Sequence, residues 1–176
     1  MPATPRCTAL ARYFDQLPEW VRAHEVSFAI YAERGIIDIL AFHPSTGSLL
    51  VIELKTELIS VEDVMATMDV RLRHATKIAR DRGWTPRSVS AWLVFADSDT
   101  NRRRVRAHSA TLRAAFPSDG RRMRQWIRDP AGSVRALSFW ADFRGTTATR
   151  TAAARRRVRT LRGSIGDSAD SPSAAS

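Results

Sequence analysis

Residues 35–55 decide the fold and read Gly35-Ile-Ile-Asp-Ile-Leu-Ala-Phe-His-Pro-Ser-Thr-Gly-Ser-Leu-Leu-Val-Ile-Glu-Leu-Lys55. Two apolar runs flank the loop 43–48, whose proline and glycine are typical of a turn, so the stretch predicts a β-hairpin. A six-residue loop pairs Phe42 with Leu49. The same register then places Asp38 directly opposite Glu53, on one face of the sheet.

The two facing carboxylates predict a metal site. Like charges that oppose each other across two strands are destabilising, and a divalent cation between them removes the repulsion. Hard oxygen ligands suit Mg²⁺ or Mn²⁺. The alternation of side chains puts Lys55 on the face of Glu53, where its ammonium can orient a water or stabilise charge on a phosphate. The alternative is an exposed Glu53–Lys55 ion pair with Asp38 solvated opposite it.

Two features favour the metal site. Asp38 and Glu53 both interrupt strands that are otherwise apolar. The chain also has 28 basic residues, of which only Lys55 and Lys77 are lysines. The protein uses arginine for nearly every other positive charge. Lys55 therefore indicates a position where a compact ammonium with a tunable pKa is needed.

The rest of the chain predicts an α/β fold around this hairpin. Before it we expect a short helix-prone segment over Leu10–Arg22, interrupted by Pro18, then a strand over Val26–Ala32 and a tight connection at Glu33–Gly35, which gives a three-stranded antiparallel meander. After it we expect the helix Val61–Arg82, with Ser60 as N-cap and Gly83 as the stop, and then the strand Val89–Ala96, buried on both faces. The remaining predicted elements are the helices Thr100–Phe116 and Arg121–Arg128 and the strand Val134–Trp140.

Composition divides the chain into two parts. Residues 1–144 can fill one core, whereas residues 145–176 are Arg-, Ala- and Ser-rich and predict a disordered tail. Cys7 is the single cysteine, and the sequence shows neither a secretory signal nor an apolar run long enough to cross a bilayer. These features favour a cytoplasmic protein, or a nucleoid-associated one, with no membrane partner.

Charge is distributed unevenly and indicates a polyanionic partner. Residues 1–100 carry a net charge of −2, and residues 101–176 carry +12. Such asymmetry is typical of nucleic-acid binding, with DNA as the expected partner; a solvated arginine-rich surface is the alternative. The arginines that we expect to contact phosphates are Arg102, Arg103, Arg104, Arg106, Arg121, Arg122 and Arg124.

The pattern Gly35-Ile-Ile-Asp38, fourteen residues, then Glu53-Leu-Lys55 resembles the PD-(D/E)xK nuclease superfamily over about residues 20–100, with Ile37 where the family's proline stands. The resemblance implies a restriction-endonuclease-like fold and metal-dependent hydrolysis of DNA phosphodiesters. It implies Mg²⁺, or Mn²⁺, bound by Asp38, Glu53 and the backbone carbonyl of Leu54. Lys55 would be the catalytic lysine, and Glu25 is the candidate for an additional upstream acid.

A narrower resemblance leaves the activity open. The segments around Glu25, Arg34–Asp38, Val51–Glu57 and Asp97–Val105 resemble a nuclease-like segment that follows helix-turn-helix domains in actinobacterial proteins. This suggests the alternative of a non-catalytic DNA-binding or transcription-regulatory module that retains the nuclease fold. The expected protein partner is a helix-turn-helix DNA-binding protein or a second copy of the chain, and this chain is either the module alone or truncated relative to its relatives.

The helix after the hairpin predicts a supporting group of polar residues. Glu62, Asp69, Arg73 and Arg80 lie within about 40° of one another on a helical wheel, beside the apolar stripe. Asp69 and Arg73 are therefore candidates to line the cleft above Asp38 and Glu53. The alternative is that they form an i, i+4 ion pair that only stabilises the helix.

Overall fold

A computed structural model describes residues 8–141, which form one six-stranded sheet with helices on both faces. The sheet order is β1-β2-β3-β4-β6-β5. The strands are β1 Val21–Ile30, β2 Glu33–His43, β3 Ser48–Lys55, β4 Ser88–Ala96, β5 Ser118–Asp119 and β6 Arg135–Trp140. The helices are α1 Thr8–Asp15, α2 Val61–Arg80, α3 Asp99–Ala107, α4 Ser109–Ala115 and α5 Gly120–Arg128. The predicted tail, residues 145–176, lies outside the described residues.

The sheet combines a predicted antiparallel meander with a parallel half. β1, β2 and β3 pair antiparallel, and the pair Phe42–Leu49 confirms the register expected from the six-residue loop. β3, β4, β6 and β5 pair parallel, because α2 and α5 carry the chain back across the sheet. The predicted α/β class is therefore confirmed, and the meander occupies one edge of the sheet.

β4 lies at the centre of the sheet and is buried on both faces, as its continuous apolar run predicts. Trp92 and Val94 pack in the layer formed with α1 and α5. Ala91, Leu93 and Phe95 pack on the opposite face, in the layer formed with α2 and α4. The strand thus separates two apolar layers, and each layer holds helices from both halves of the chain.

α2 begins at Val61, as the sequence predicts, and ends at Arg80, two residues before the predicted Arg82. The Ser60 hydroxyl accepts a hydrogen bond from the backbone N–H of Asp63 at 3.0 Å, which satisfies one of the free amide groups of the first turn. Gly83, with φ +77°, takes the left-handed conformation just after the helix. The buried side chains of α2, from Val61 to Ala79, face the sheet.

The predicted tight connection between β1 and β2 is confirmed, but its predicted position, Glu33–Gly35, is wrong. Ile30 pairs with Glu33, so the turn contains only Tyr31 and Ala32, and Gly35 lies within β2 opposite Phe28. A Cβ at Gly35 would lie 2.8 Å from Cζ of the Phe28 ring. Glycine is therefore required here for close packing inside a strand, and not for the conformation of a turn.

Two other predicted helical segments have different bounds. The first, expected over Leu10–Arg22 with an interruption at Pro18, is helical only to Asp15, and the chain enters β1 at Val21. Pro18 disfavours the helical conformation of the preceding residue, so the helix stops before it. The single helix expected over Thr100–Phe116 is two helices, separated at His108. Hydrogen bonds of Asn101 fix the first, and burial of Leu112 fixes the second.

No helix within residues 8–141 is long and apolar enough to cross a membrane.

Trp92 provides a test of the central layer. Its side chain is fully buried, and its Nε1 donates to the Ser138 hydroxyl at 2.8 Å. We expect Trp92→Ala to lower the free energy of unfolding by about 3–5 kcal/mol, because it leaves a large cavity between β4 and α1. Ser138→Ala, which removes only the acceptor, is expected to cost about 1–3 kcal/mol. Urea unfolding measures both, and a smaller loss for Trp92→Ala than for Ser138→Ala would contradict this packing.

Candidate functional site

Asp38 and Glu53 lie in one cleft, at the point where β2 and β3 stop pairing. The ladder runs from His43–Ser48 to Ile39–Ile52 and then ends, so Asp38 and Glu53 are the next residues in register. The backbone N–H of Leu54 donates to Oδ2 of Asp38 at 2.7 Å. This bond connects the two strands across the gap and holds the Asp38 carboxylate beside Glu53.

The strand pair β1–β2 changes face at the site. Ile37 packs in the layer against α2, whereas Ile39 packs in the layer against α1 and α5. Residues i and i+2 of a regular strand share one face, so the strand twists sharply at Asp38. Glu25, between the pairs His24–Ile39 and Val26–Ile37, has φ +49°, which is uncommon for a residue other than glycine. The twist turns the tip of the β1–β2 hairpin away from β3, and the cleft lies in the space between them.

The cleft has a volume of about 680 Å³ and is open to solvent. β1, β2 and β3 form its floor, and the first half of α2 with the segment before it forms one wall. Asp38, Glu53, Lys55, Leu54 and Glu25, which were all predicted as site residues, lie in its lining. The structure therefore brings the predicted catalytic and metal-binding residues together in one place.

Glu53 is the buried acid of the cleft, with 2% of its surface exposed. Its Oε1 lies 2.8 Å from Nζ of Lys55, and its Oε2 lies 2.9 Å from Nε of Arg71. Burial raises the pKa of the Glu53 carboxyl, and the charge of Asp38 raises it further, while Arg71 and Lys55 partly oppose the shift. The site thus holds two carboxylates that repel each other and two cations that partly compensate them.

Arg71 is a site residue that the sequence analysis missed. Its Nε donates to the backbone carbonyl of Ile36 at 2.8 Å, and its Nη1 donates to that of Thr67 at 3.2 Å. The single hydrogen of Nε is therefore donated to the carbonyl of Ile36. Oε2 of Glu53 is attracted by the charge of Arg71 but accepts no hydrogen bond. The signal was present: Arg71 falls three residues after Met68 and four before Ala75, so it interrupts the apolar face of α2.

Asp69 and Arg73 lie outside the cleft lining. They form the i, i+4 ion pair that was the alternative interpretation, and Arg73 also binds Glu33 at 2.7 Å. Glu33 in turn lies 2.5 Å from Nε2 of the buried His74. These contacts fasten the tip of the β1–β2 hairpin to α2, so the group supports the hairpin that carries Asp38.

The predicted phosphate-binding arginines fall into two groups on opposite faces of the sheet. Arg102, Arg103, Arg104 and Arg106 lie on α3, on the α2 side, whereas Arg121, Arg122 and Arg124 begin α5, on the α1 side. Two of the first group make internal contacts. Arg102 binds Asp97 and lies 4.7 Å above the Phe139 ring, and Arg104 binds Glu57 at the rim of the cleft.

No family model, no curated protein and no solved structure matches this chain. The site is therefore interpreted from its own geometry.

The surroundings of Glu53 raise its pKa, whereas those of Glu33 lower its pKa, and this difference can be tested by the pH dependence of stability. A raised pKa means that the folded chain holds the Glu53 proton more tightly than the unfolded chain, so stability falls as the pH rises between the two pKa values. Glu53→Gln is neutral at every pH. We expect it to raise the melting temperature at neutral pH, and the gain to shrink as the pH falls through the raised pKa of Glu53 towards the ordinary range of glutamate.

Glu33→Gln is the matched control with the opposite sign. The hydrogen bond from His74, and then the Arg73 guanidinium, lower the pKa of Glu33, so its contribution to stability is present at neutral pH and lost as the pH falls. We expect Glu33→Gln to lower the melting temperature at neutral pH and to have little effect in acid. Thermal melts across pH measure both variants. If the melting temperature at neutral pH shifted in the same direction in both variants, the opposite pKa shifts of Glu53 and Glu33 would be contradicted.

Proposed function

We propose that the chain hydrolyses DNA phosphodiester bonds in a metal-dependent reaction at the cleft of Asp38, Glu53 and Lys55. The observation that carries this proposal is the convergence of two carboxylates and one ammonium where the strands diverge, with Nζ of Lys55 2.8 Å from Glu53. Acids that can hold a metal ion, and a lysine that can stabilise developing charge, in an open cleft next to a basic helix suit phosphodiester hydrolysis.

The donor set fits a hard divalent cation. Asp38 and Glu53 offer carboxylate oxygens, and Oε2 of Glu53 has no hydrogen bond to satisfy it. The described residues contain no cluster of three or more His, Cys, Asp or Glu side chains arranged for a metal ion. Mg²⁺ fits such a site, because it is commonly bound through one or two carboxylates and completes its shell with water and phosphate oxygens. The backbone carbonyl of Leu54 is the further protein ligand that we propose, and Mn²⁺ is an alternative ion.

The protein groups have distinct roles in this proposal. Bound Mg²⁺ would supply an acidified water and charge stabilisation at the phosphate. Asp38 and Glu53 hold the ion, and the Leu54 N–H keeps Asp38 in position. Lys55, fixed beside Glu53, orients the attacking water or stabilises the charge that develops on the phosphate. Glu25, in the lining of the cleft, is the proposed additional acid.

DNA is the proposed substrate because the described part of residues 101–141 carries ten arginines against two aspartates. The group on α3 lies next to the cleft, where Arg104 reaches Glu57 at its rim. Exposed arginines beside an acidic cleft can hold the phosphates that flank a scissile bond, and such binding weakens steeply with salt. A helix-turn-helix protein or a second copy of this chain remains the proposed protein partner.

One observation favours the alternative, a DNA-binding or regulatory module without catalysis. Lys55 and Arg71 already give Glu53 two cationic partners without a metal ion. A fold that has retained the cleft could keep its acids for structural reasons, and DNA binding would then depend on the arginines alone.

The two lysines of the chain make a matched pair for the test. Lys55 lies in the cleft, whereas Lys77 is exposed on α2 and binds Asp81. The purified protein and its variants would be incubated with plasmid and with single-stranded DNA, with and without Mg²⁺ or Mn²⁺. We expect metal-dependent cleavage that falls about 100-fold or more in Lys55→Ala and in Asp38→Asn, and that Lys77→Ala retains.

The same assays distinguish the alternative. Salt-sensitive DNA binding by every variant, without cleavage under any metal condition, would replace the enzyme with the binding module. A protein that neither cuts nor binds DNA would overturn both proposals.

A further inference from the structure

Arg71 is a cation that the fold fixes in the cleft. Backbone carbonyls of two different elements, Ile36 on β2 and Thr67 on α2, accept hydrogen bonds from its guanidinium. Its side chain is only 15% exposed, and Nε lies 2.9 Å from Oε2 of Glu53. A guanidinium anchored at two points in this way cannot move far when the charge of the cleft changes.

The position of this cation conflicts with a divalent ion at the same carboxylate. Oε2 of Glu53 is the acceptor without a hydrogen bond, and it is also the oxygen nearest to Arg71. An ion bound at this oxygen would lie a few ångströms from the guanidinium, in a partly buried site where repulsion between cations is weakly screened. A phosphate in the cleft would offset this repulsion between the ion and Arg71, because its negative charge attracts both.

We propose that Arg71 opposes metal loading of the empty cleft and attracts the phosphodiester, so that the ion is held firmly only when DNA is bound. This inference rests on the proposed metal-dependent function. It assigns Arg71 a positioning role that acts through Glu53 and the substrate phosphate. The nearest charges support it: the two carboxylates that would hold the ion, Asp38 and Glu53, share the cleft with two cations, Lys55 and Arg71, before an ion arrives. The other acids of the lining are Glu25, Asp63 and Glu57, and Glu57 is bound by Arg104.

The proposal predicts two shifts of opposite direction in one variant. Arg71→Gln removes the charge but keeps amide hydrogens for the carbonyls of Ile36 and Thr67. In mildly alkaline buffer without DNA, we expect this variant to bind Mn²⁺ about tenfold more tightly than the original chain, measured by the electron paramagnetic resonance of free Mn²⁺. Without metal, we expect its affinity for a labelled duplex oligonucleotide to fall several-fold, measured by fluorescence anisotropy.

Two further variants identify the cause. Arg71→Lys keeps the charge and should bind Mn²⁺ as the original chain does, so a gain as large as that of Arg71→Gln would exclude charge as the cause. Lys77→Gln removes an exposed cation of the same helix that lies outside the cleft and binds Asp81, and it should change neither the Mn²⁺ affinity nor its response to DNA. Circular dichroism checks that each variant is folded.

The results separate this inference from the function on which it rests. If Arg71 only holds Glu53 in place, Arg71→Gln weakens Mn²⁺ binding, and the inference is overturned while the metal site stands. Unchanged Mn²⁺ affinity in Arg71→Gln would overturn it as well. If the original chain binds no Mn²⁺ even when the oligonucleotide is present, the proposed metal-dependent function itself fails.

Discussion

The burial of the Glu53 carboxylate is the constraint on which the site depends. A carboxylate loses several kcal/mol of hydration when it is removed from water, and it must recover this from nearby cations and donors. β3 carries Glu53 between β2 and β4 in the interior of the sheet, and α2 covers the same face. Lys55 from the same strand and Arg71 from the helix provide the compensating charge. The contact of α2 with the sheet therefore includes the ion pair of Arg71 with Glu53 as well as apolar packing.

Much of the fold could be predicted because its signals are local. The six-residue loop fixed the pair Phe42–Leu49, Ser60 and Gly83 bounded α2, and the continuous apolar run of β4 indicated a central strand. Asp38, Glu53 and Lys55 could be placed on one face for the same reason, since register and alternation follow from hairpin geometry.

The errors arise where distant contacts decide the local structure. Gly35 resembled a turn residue, but the Phe28 ring across the strand pair explains it. The break at His108 reflects the separate anchoring of Asn101 and Leu112, which sequence periodicity does not show. Arg71 was missed because its partners, Ile36 and Glu53, lie on strands 35 and 18 positions earlier in the chain. Only its place on an apolar helix face could have drawn attention to it.

The parallel pairing of β3 with β4 has a consequence for how the site forms during synthesis. All the proposed chemical groups, from Glu25 to Arg71, are made before β4, whose Leu93 is the strand partner of Glu53. A chain emerging from the ribosome can thus assemble the hairpin and α2 while the Glu53 carboxylate is still hydrated. Glu53 gains its neighbouring strand only when Trp92–Phe95 inserts beside β3, and the elements from α3 to β6 are made later still. The burial of the acid therefore depends on a strand that contributes no residue to the lining of the cleft.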